Sequence, residues 1–126
     1  MSTHAERLRV IEEVTEGFDR HDLEAIMTHF ADDAIFDWPR GRDPWGGRVV
    51  GKEAIREAFS ERFSSIPDVR YTDARHLVDG DRGASEWLVT GTTVAGQRIE
   101  ARGCDLWEFR GDKIVRKDSY WKMVEP

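Results

Sequence analysis

The feature that most constrains this chain is a change in the period of its apolar residues. Up to Phe63 they recur mainly at helical spacing. Beyond Pro67 they fall into strand-like runs parted by glycine-bearing turns. A chain that makes this switch builds helices first and a sheet afterwards. The helices must then lie across one face of the sheet, because neither layer can bury its apolar side alone.

In detail, Leu8, Val10, Ile11, Val14 and Phe18 predict a helix from about Thr3 to Asp19, weakened near its end by Gly17. Asp22 is a plausible N-cap for a second helix reaching about Phe30, with Leu23, Ile26, Met27 and Phe30 on its apolar side. Ala34–Trp38 reads as a short strand ended by Pro39, followed by a glycine- and arginine-rich loop from Arg40 to Arg48. Gly51 opens a third helix through about Phe63, with Ile55, Ala58, Phe59 and Phe63 facing inward. Four strands follow near 69–79, 83–94, 97–110 and 113–123. Their turns are Asp79-Gly80-Asp81, Ala95-Gly96 and Arg110-Gly111-Asp112. The expectation is one α+β domain over residues 1–126, with three N-terminal helices on a curved, mainly antiparallel sheet. Such a sheet under a helical cover encloses a cone, a natural small-molecule pocket.

Charge and composition narrow the function. The 126 residues carry a formal net charge of −6, spread without long like-charge runs, which argues against nucleic-acid or anionic-membrane partners. The lone Cys104 cannot form an internal disulfide, so a reducing cytoplasm is expected. No N-terminal run resembles a signal peptide or a membrane helix. His4, His21, His29 and His76 are scattered, without HxxxH, HxH or CxxC spacing, so no metal is expected. Neither GxGxxG nor a P-loop is present, and no cofactor is expected.

Asp105 is the residue that points to chemistry. On a period-2 strand it shares a face with Gly103, Trp107 and Phe109, which should be the buried face. A carboxylate there is costly unless paired, hydrogen-bonded or protonated, so it is either an acid–base group or a satisfied buried aspartate. If Ala95-Gly96 is a two-residue loop, Glu86 lies opposite Asp105, and two carboxyls that close would share a proton. Leu88 supports an inward Glu86, whereas Trp87 and Val89 support the opposite register. His76, on the first strand of the meander, is either a proton shuttle or a histidine satisfied on the outer sheet face.

Three segments carry a family resemblance. They are Asp22-Leu23-Glu24 with Phe30-Ala31-Asp32-Asp33-Ala34, Gly51 with Ala54-Ile55-Arg56-Glu57, and Asp105 to Phe109 followed by Gly111-Asp112-Lys113-Ile114. In this order the chain resembles the cone-shaped α+β family that contains nuclear transport factor 2, ketosteroid isomerase and the SnoaL-like polyketide cyclases. The resemblance implies that Asp105 holds the place of the isomerase's protonated, oxyanion-donating carboxylic acid. The isomerase's oxyanion tyrosine falls on Val14 and its base on Trp38. Asp37 is one residue away and points to the opposite face. The chain is therefore not expected to be a ketosteroid isomerase.

The same resemblance turns Val115, Lys117, Ser119 and Trp121 inward, and Asp118 and Tyr120 outward. Lys117 would then be an ion-pair partner of the carboxyls, a base or Schiff-base amine, or a lysine snorkelling at the sheet edge. Trp38, Trp107 and Trp121, with Phe18, Phe36 and Phe59, would line the cavity or simply form the core. Arg42, with Arg40 and Arg48, would sit near the cone mouth, either gripping a substrate anion or forming a solvated lid. The expected function is a cofactor-independent acid–base enzyme, such as an isomerase, dehydratase or aldol-type cyclase. Its substrate would be a small carbonyl-bearing, aromatic or polycyclic molecule. The alternative is a non-catalytic small-molecule-binding or dimerisation module. A homodimer through the outer sheet face is expected, because Trp87 and Tyr120 oppose Trp107 and Trp121 and exceed what one core needs.

Overall fold

The computed structural model describes residues 3–126. Helix α1 spans His4–Arg20, and its first turn is capped by Thr3, whose hydroxyl accepts the Glu6 amide at 3.1 Å. It stops at His21, which adopts a left-handed conformation with φ 59°. Asp22 then caps α2, Leu23–Met27, accepting the Ala25 amide at 3.1 Å. This second helix is shorter than expected. Phe30 already pairs with Ile114, so the chain turns extended three residues past Met27.

Strand β1 runs from Phe30 to Asp43, straight through Pro39, and returns as β2, Gly46–Val50. Its paired residues stop at Asp37 on one side and are interrupted after Trp38 on the other. Pro39 therefore needs no amide hydrogen there. The expected Arg40–Arg48 loop is in fact a hairpin. Gly46 permits its tight return: at φ 85°, a Cβ there would lie 2.0 Å from the Trp38 carbonyl oxygen. Gly51 leads into α3, Lys52–Ser65.

The remaining strands are β3 (Arg70–Asp79), β4 (Arg82–Thr92), β5 (Arg98–Arg110) and β6 (Lys113–Trp121). The six-stranded sheet has the order β2-β1-β6-β5-β4-β3. All pairs are antiparallel except β1 with β6. The helices lie on the concave face of this curved, unclosed sheet. There Ile11, Val14, Ile26, Met27, Ile55 and Phe59 pack against Phe30, Ala34, Phe36, Trp107, Phe109 and Ile114, all buried. This is the expected α+β cone. Among the described residues no helix is long and apolar enough to cross a membrane.

The β4–β5 hairpin decides which side chains enter the cone. Thr93 donates to the Gln97 carbonyl at 2.9 Å, and Gly96 turns with φ 89°. The loop is thus the three residues Val94-Ala95-Gly96, not the two expected. One extra residue moves the register by one and exchanges the faces of β4. Ser85 lies opposite Asp105, and Glu86 lies opposite Cys104. Trp87 turns inward, to 2% exposure, while the Glu86 side chain is 53% exposed on the outer face beside Arg75. The proton-sharing Glu86–Asp105 pair is therefore not formed. The aromatic surplus behind the expected dimer also shrinks, since Trp87 belongs to the core.

Candidate active site

At the floor of the cone, Asp105 on β5 and Lys117 on β6 form a buried ion pair, 4% and 6% exposed. Lys117 Nζ donates to Asp105 Oδ1 at 2.9 Å and to Ser119 Oγ at 2.7 Å. Ser119 donates to the same Oδ1 at 2.5 Å, and the Trp87 indole N–H donates to Oδ2 at 2.9 Å. Both carboxylate oxygens are thus occupied as acceptors. Gly103 makes room for this: it lies opposite Trp87, and a Cβ there would meet Trp87 Cζ3 at 2.5 Å. Four aromatic rings surround the ammonium, with centroids 4.7 Å (Phe36), 5.1 Å (Phe18), 5.5 Å (Phe59) and 5.8 Å (Trp107) from Nζ. Their negative faces stabilise a cation that has little water.

Above this floor is a cavity lined by Phe18, Phe36, Trp38, Phe59, Tyr71, Trp87, Lys117, Ser119 and Trp121. It is narrow: the space open to the centre of a water-sized sphere is about 20 Å³, room for little more than one water. The mouth is crossed by Arg62 of α3, whose Cζ lies 4.9 Å from the Trp38 ring centroid and 4.6 Å from that of Trp121. Tyr71 of β3 stands between Phe18 and Trp87, with ring centroids 5.5 and 5.1 Å away.

The electrostatics follow from this enclosure. Burial lowers the Lys117 pKa, and the nearby Arg62 charge pushes the same way, while Asp105 works against both. Burial pushes the Tyr71 phenol up to about 12, so it is a hydrogen-bond donor at neutral pH. The arrangement offers a buried amine of reduced basicity, a counter-ion behind it and a phenolic donor, within aromatic walls.

The expected residues separate into groups. Phe18, Phe36, Trp38, Phe59, Trp121 and Lys117 line the cavity together. Lys117 is not a snorkelling edge residue, because it is buried and doubly hydrogen-bonded. Asp105 sits behind Lys117, Ser119 and Trp87 and does not line the cavity, so it supports the site from beneath. Trp107 lies deeper in the core and donates to Ser85 Oγ at 2.9 Å. His76 faces α1, not the outer face: its Nδ1 is 2.6 Å from Ser85 Oγ, and it lines a separate groove with Glu12 and Glu16. Burial lowers its pKa, against the pull of those two acids. Arg42 is exposed on the β1–β2 hairpin, away from the cavity.

Arg62, Tyr71 and Trp87 were not anticipated from the sequence. Arg62 follows Phe59 by three positions, and that helical spacing was the available signal. Trp87 was hidden by the hairpin loop length.

The family model of the SnoaL-like domain matches residues 11–117, most of the chain. The chain belongs to the SnoaL-like domain family. Solved structures agree on the fold of this SnoaL-like chain. A candidate polyketide cyclase from Xanthomonas campestris pv. campestris superposes with a TM-score of 0.84 at 20% identity, over 94% of this chain and 92% of that one. A candidate isomerase from Bacillus subtilis gives 0.79 at 18% identity, over 95% and 89%. AclR, a candidate hydroxylase from Streptomyces galilaeus, gives 0.76 at 20%, over 96% and 78%. These similarities establish the SnoaL-like fold alone, on which several chemistries occur. Among curated proteins, none matches the sequence.

Proposed function

We propose that this SnoaL-like protein is a cofactor-independent acid–base enzyme acting next to a carbonyl group, with Lys117 as the proton-handling residue. The observation that carries this reading is the buried Lys117 ammonium facing an aromatic cavity while Asp105 and Ser119 hold it from behind. As the neutral amine, Lys117 takes a proton from the carbon beside a ketone. The C–H electron pair passes into the enolate and the proton resides on Nζ. Asp105 and Ser119 stabilise the ammonium as it forms, so their contribution grows towards the transition state. Tyr71 donates a hydrogen bond to the enolate oxygen. Returning the proton to another carbon gives isomerisation. Expelling a β-hydroxyl that takes the proton as water gives dehydration, and attack of the enolate carbon on a second carbonyl, whose alkoxide takes the proton back from Nζ, gives aldol-type cyclisation. The flat aromatic walls suit an aromatic or polycyclic substrate.

The test is exchange of the α-hydrogens of 2-tetralone in deuterated buffer, followed by proton NMR. The expected result is exchange above the buffer rate that rises with pH and levels off above the Lys117 pKa. Lys117→Met falls to background, and Tyr71→Phe loses about 100-fold, as for one oxyanion donor. Exchange that survives Lys117→Met, or none in the unaltered protein, refutes the mechanism.

The second reading is a non-catalytic binding module. The narrow cavity with Arg62 across its mouth favours it. Saturable ligand binding without exchange would select that reading. A homodimer through the outer sheet face also remains a proposal, supported by the exposed Leu106 and Tyr120.

A further inference from the structure

Two cations face the cavity, and Asp105 answers only one of them. Lys117 is paired, whereas the Arg62 guanidinium forms no salt bridge among the described residues. It lies instead over the indoles of Trp38 and Trp121. A guanidinium held over ring faces, with no salt-bridge partner, keeps N–H groups available to grip a carboxylate in two places. The surroundings have the same sign. Beyond Trp121 and Pro39 lies a groove of about 480 Å³ that carries Arg40, Arg98 and Lys122 against one acid, Glu100. Arg98 lies 3.8 Å from Glu100, which leaves Arg40 and Lys122 as the groove's excess positive charge, opposite in sign to the chain's net −6.

Size adds a second constraint. The cavity has about 20 Å³ free, so a ring can enter only if Arg62 leaves the mouth. A ligand that offered Arg62 nothing would forfeit its two stacking contacts. A ligand carrying an acid at the mouth end would replace them with a charge-assisted pair.

We propose that the ligand is a flat aromatic oxo acid, whose carbonyl end meets Lys117 and whose carboxylate pairs with Arg62 as it swings from between Trp38 and Trp121. The proposal rests on the reading of Lys117 as the group that meets the carbonyl. Arg62 is then both the gate and the residue that reads charge, and its failure can be separated from a failure of the Lys117 chemistry.

The experiment compares 2-naphthoate with the neutral isostere 2-naphthamide by quenching of tryptophan fluorescence. The unaltered protein is expected to bind the carboxylate at least about tenfold more tightly, the worth of one charged hydrogen-bonded contact. Arg62→Met and Arg62→Gln abolish the preference, and Arg62→Lys keeps part of it. Equal affinities, no binding of either probe, or a preference that survives both Arg62→Met and Arg62→Gln overturns the proposal. Failed α-hydrogen exchange alongside an intact, Arg62-dependent preference counts against the Lys117 mechanism alone.

Discussion

Replacing Lys117 with Met keeps the bulk of the side chain and removes its charge, leaving Asp105 in the core with only Trp87 and Ser119 as donors. Stripping one partner from a buried ion pair costs about 3–5 kcal/mol. A ceiling can also be worked out. The stranded carboxylate can escape its charge by taking a proton, at about 1.36 kcal/mol for each pH unit above the ~3.9 of a free aspartate. That ceiling is about 4.2 kcal/mol at pH 7 and about 1.5 kcal/mol at pH 5. In the variant the folded state would then bind a proton that the unfolded chain releases. Its stability must fall as pH rises from 5 to 7, relative to the unaltered protein. Urea denaturation of both proteins at several pH values measures this difference directly. The penalty should approach 3–4 kcal/mol at pH 7, shrink by about half or more at pH 5, and be relieved by adding Asp105→Asn, which removes the stranded charge. A variant as stable as the unaltered protein at pH 7, with no slope between pH 5 and 7, would refute the claim that the pair is buried and mutually dependent.

Gly103→Ala should cost about 1–3 kcal/mol, because the new methyl meets Trp87 Cζ3 at 2.5 Å and the Tyr120 carbonyl oxygen at 2.6 Å. An unchanged denaturation midpoint and unchanged Trp87 fluorescence would show that the approach is not tight. Asp37 is wholly buried. Burial alone would raise its pKa, but hydrogen bonds from Arg48 and Arg116 outweigh this and hold it below the usual carboxylate range. Its contribution is therefore present above the ~4 of a free aspartate and lost as pH falls through the lower folded value. Asp37→Asn should flatten the acid arm of the stability curve below pH ~4, and an identical acid arm would contradict the assignment. Tyr120→Lys, at an exposed position on the outer sheet face, should shift a dimer to monomer in sedimentation velocity. An unaltered monomer at micromolar concentration in both proteins would remove the dimer proposal.

Some of this was legible in the residues. The helical spacing of Leu8, Ile11, Val14 and Phe18, and the run of turns after Pro67, gave the layer order. The inward face of β5 could be read because Trp107 and Phe109 share it with Asp105, and the alternation averages over several residues. What failed depended on counting a single residue. Whether the β4–β5 loop holds two or three residues decides if Glu86 or Trp87 enters the cone, and Val94-Ala95-Gly96 gives little local signal for either. Arg62 escaped notice for a different reason. An arginine beside a helix's apolar stripe usually points to solvent, and only the two indoles, distant in sequence, hold it over the cavity. The hairpin through Pro39 was hidden because a proline in an unpaired stretch of strand looks the same in sequence as one that ends a strand.

The single parallel joint in the sheet bears on when the site comes into being. Phe36 of β1 pairs in register with Lys117 of β6, so two neighbours in the cavity lie 81 positions apart along the chain. No local hairpin can bring them together. Closing so long a segment is slow and is rewarded only when the contact is made. The β3–β6 meander can form by successive hairpins while the N-terminal strand is still undocked. In that interval Lys117 lacks Phe36, and the carboxylate behind it has a partner still open to water. The cavity around Lys117 should therefore be among the last parts of the molecule to mature during refolding, after the bulk of the sheet has formed.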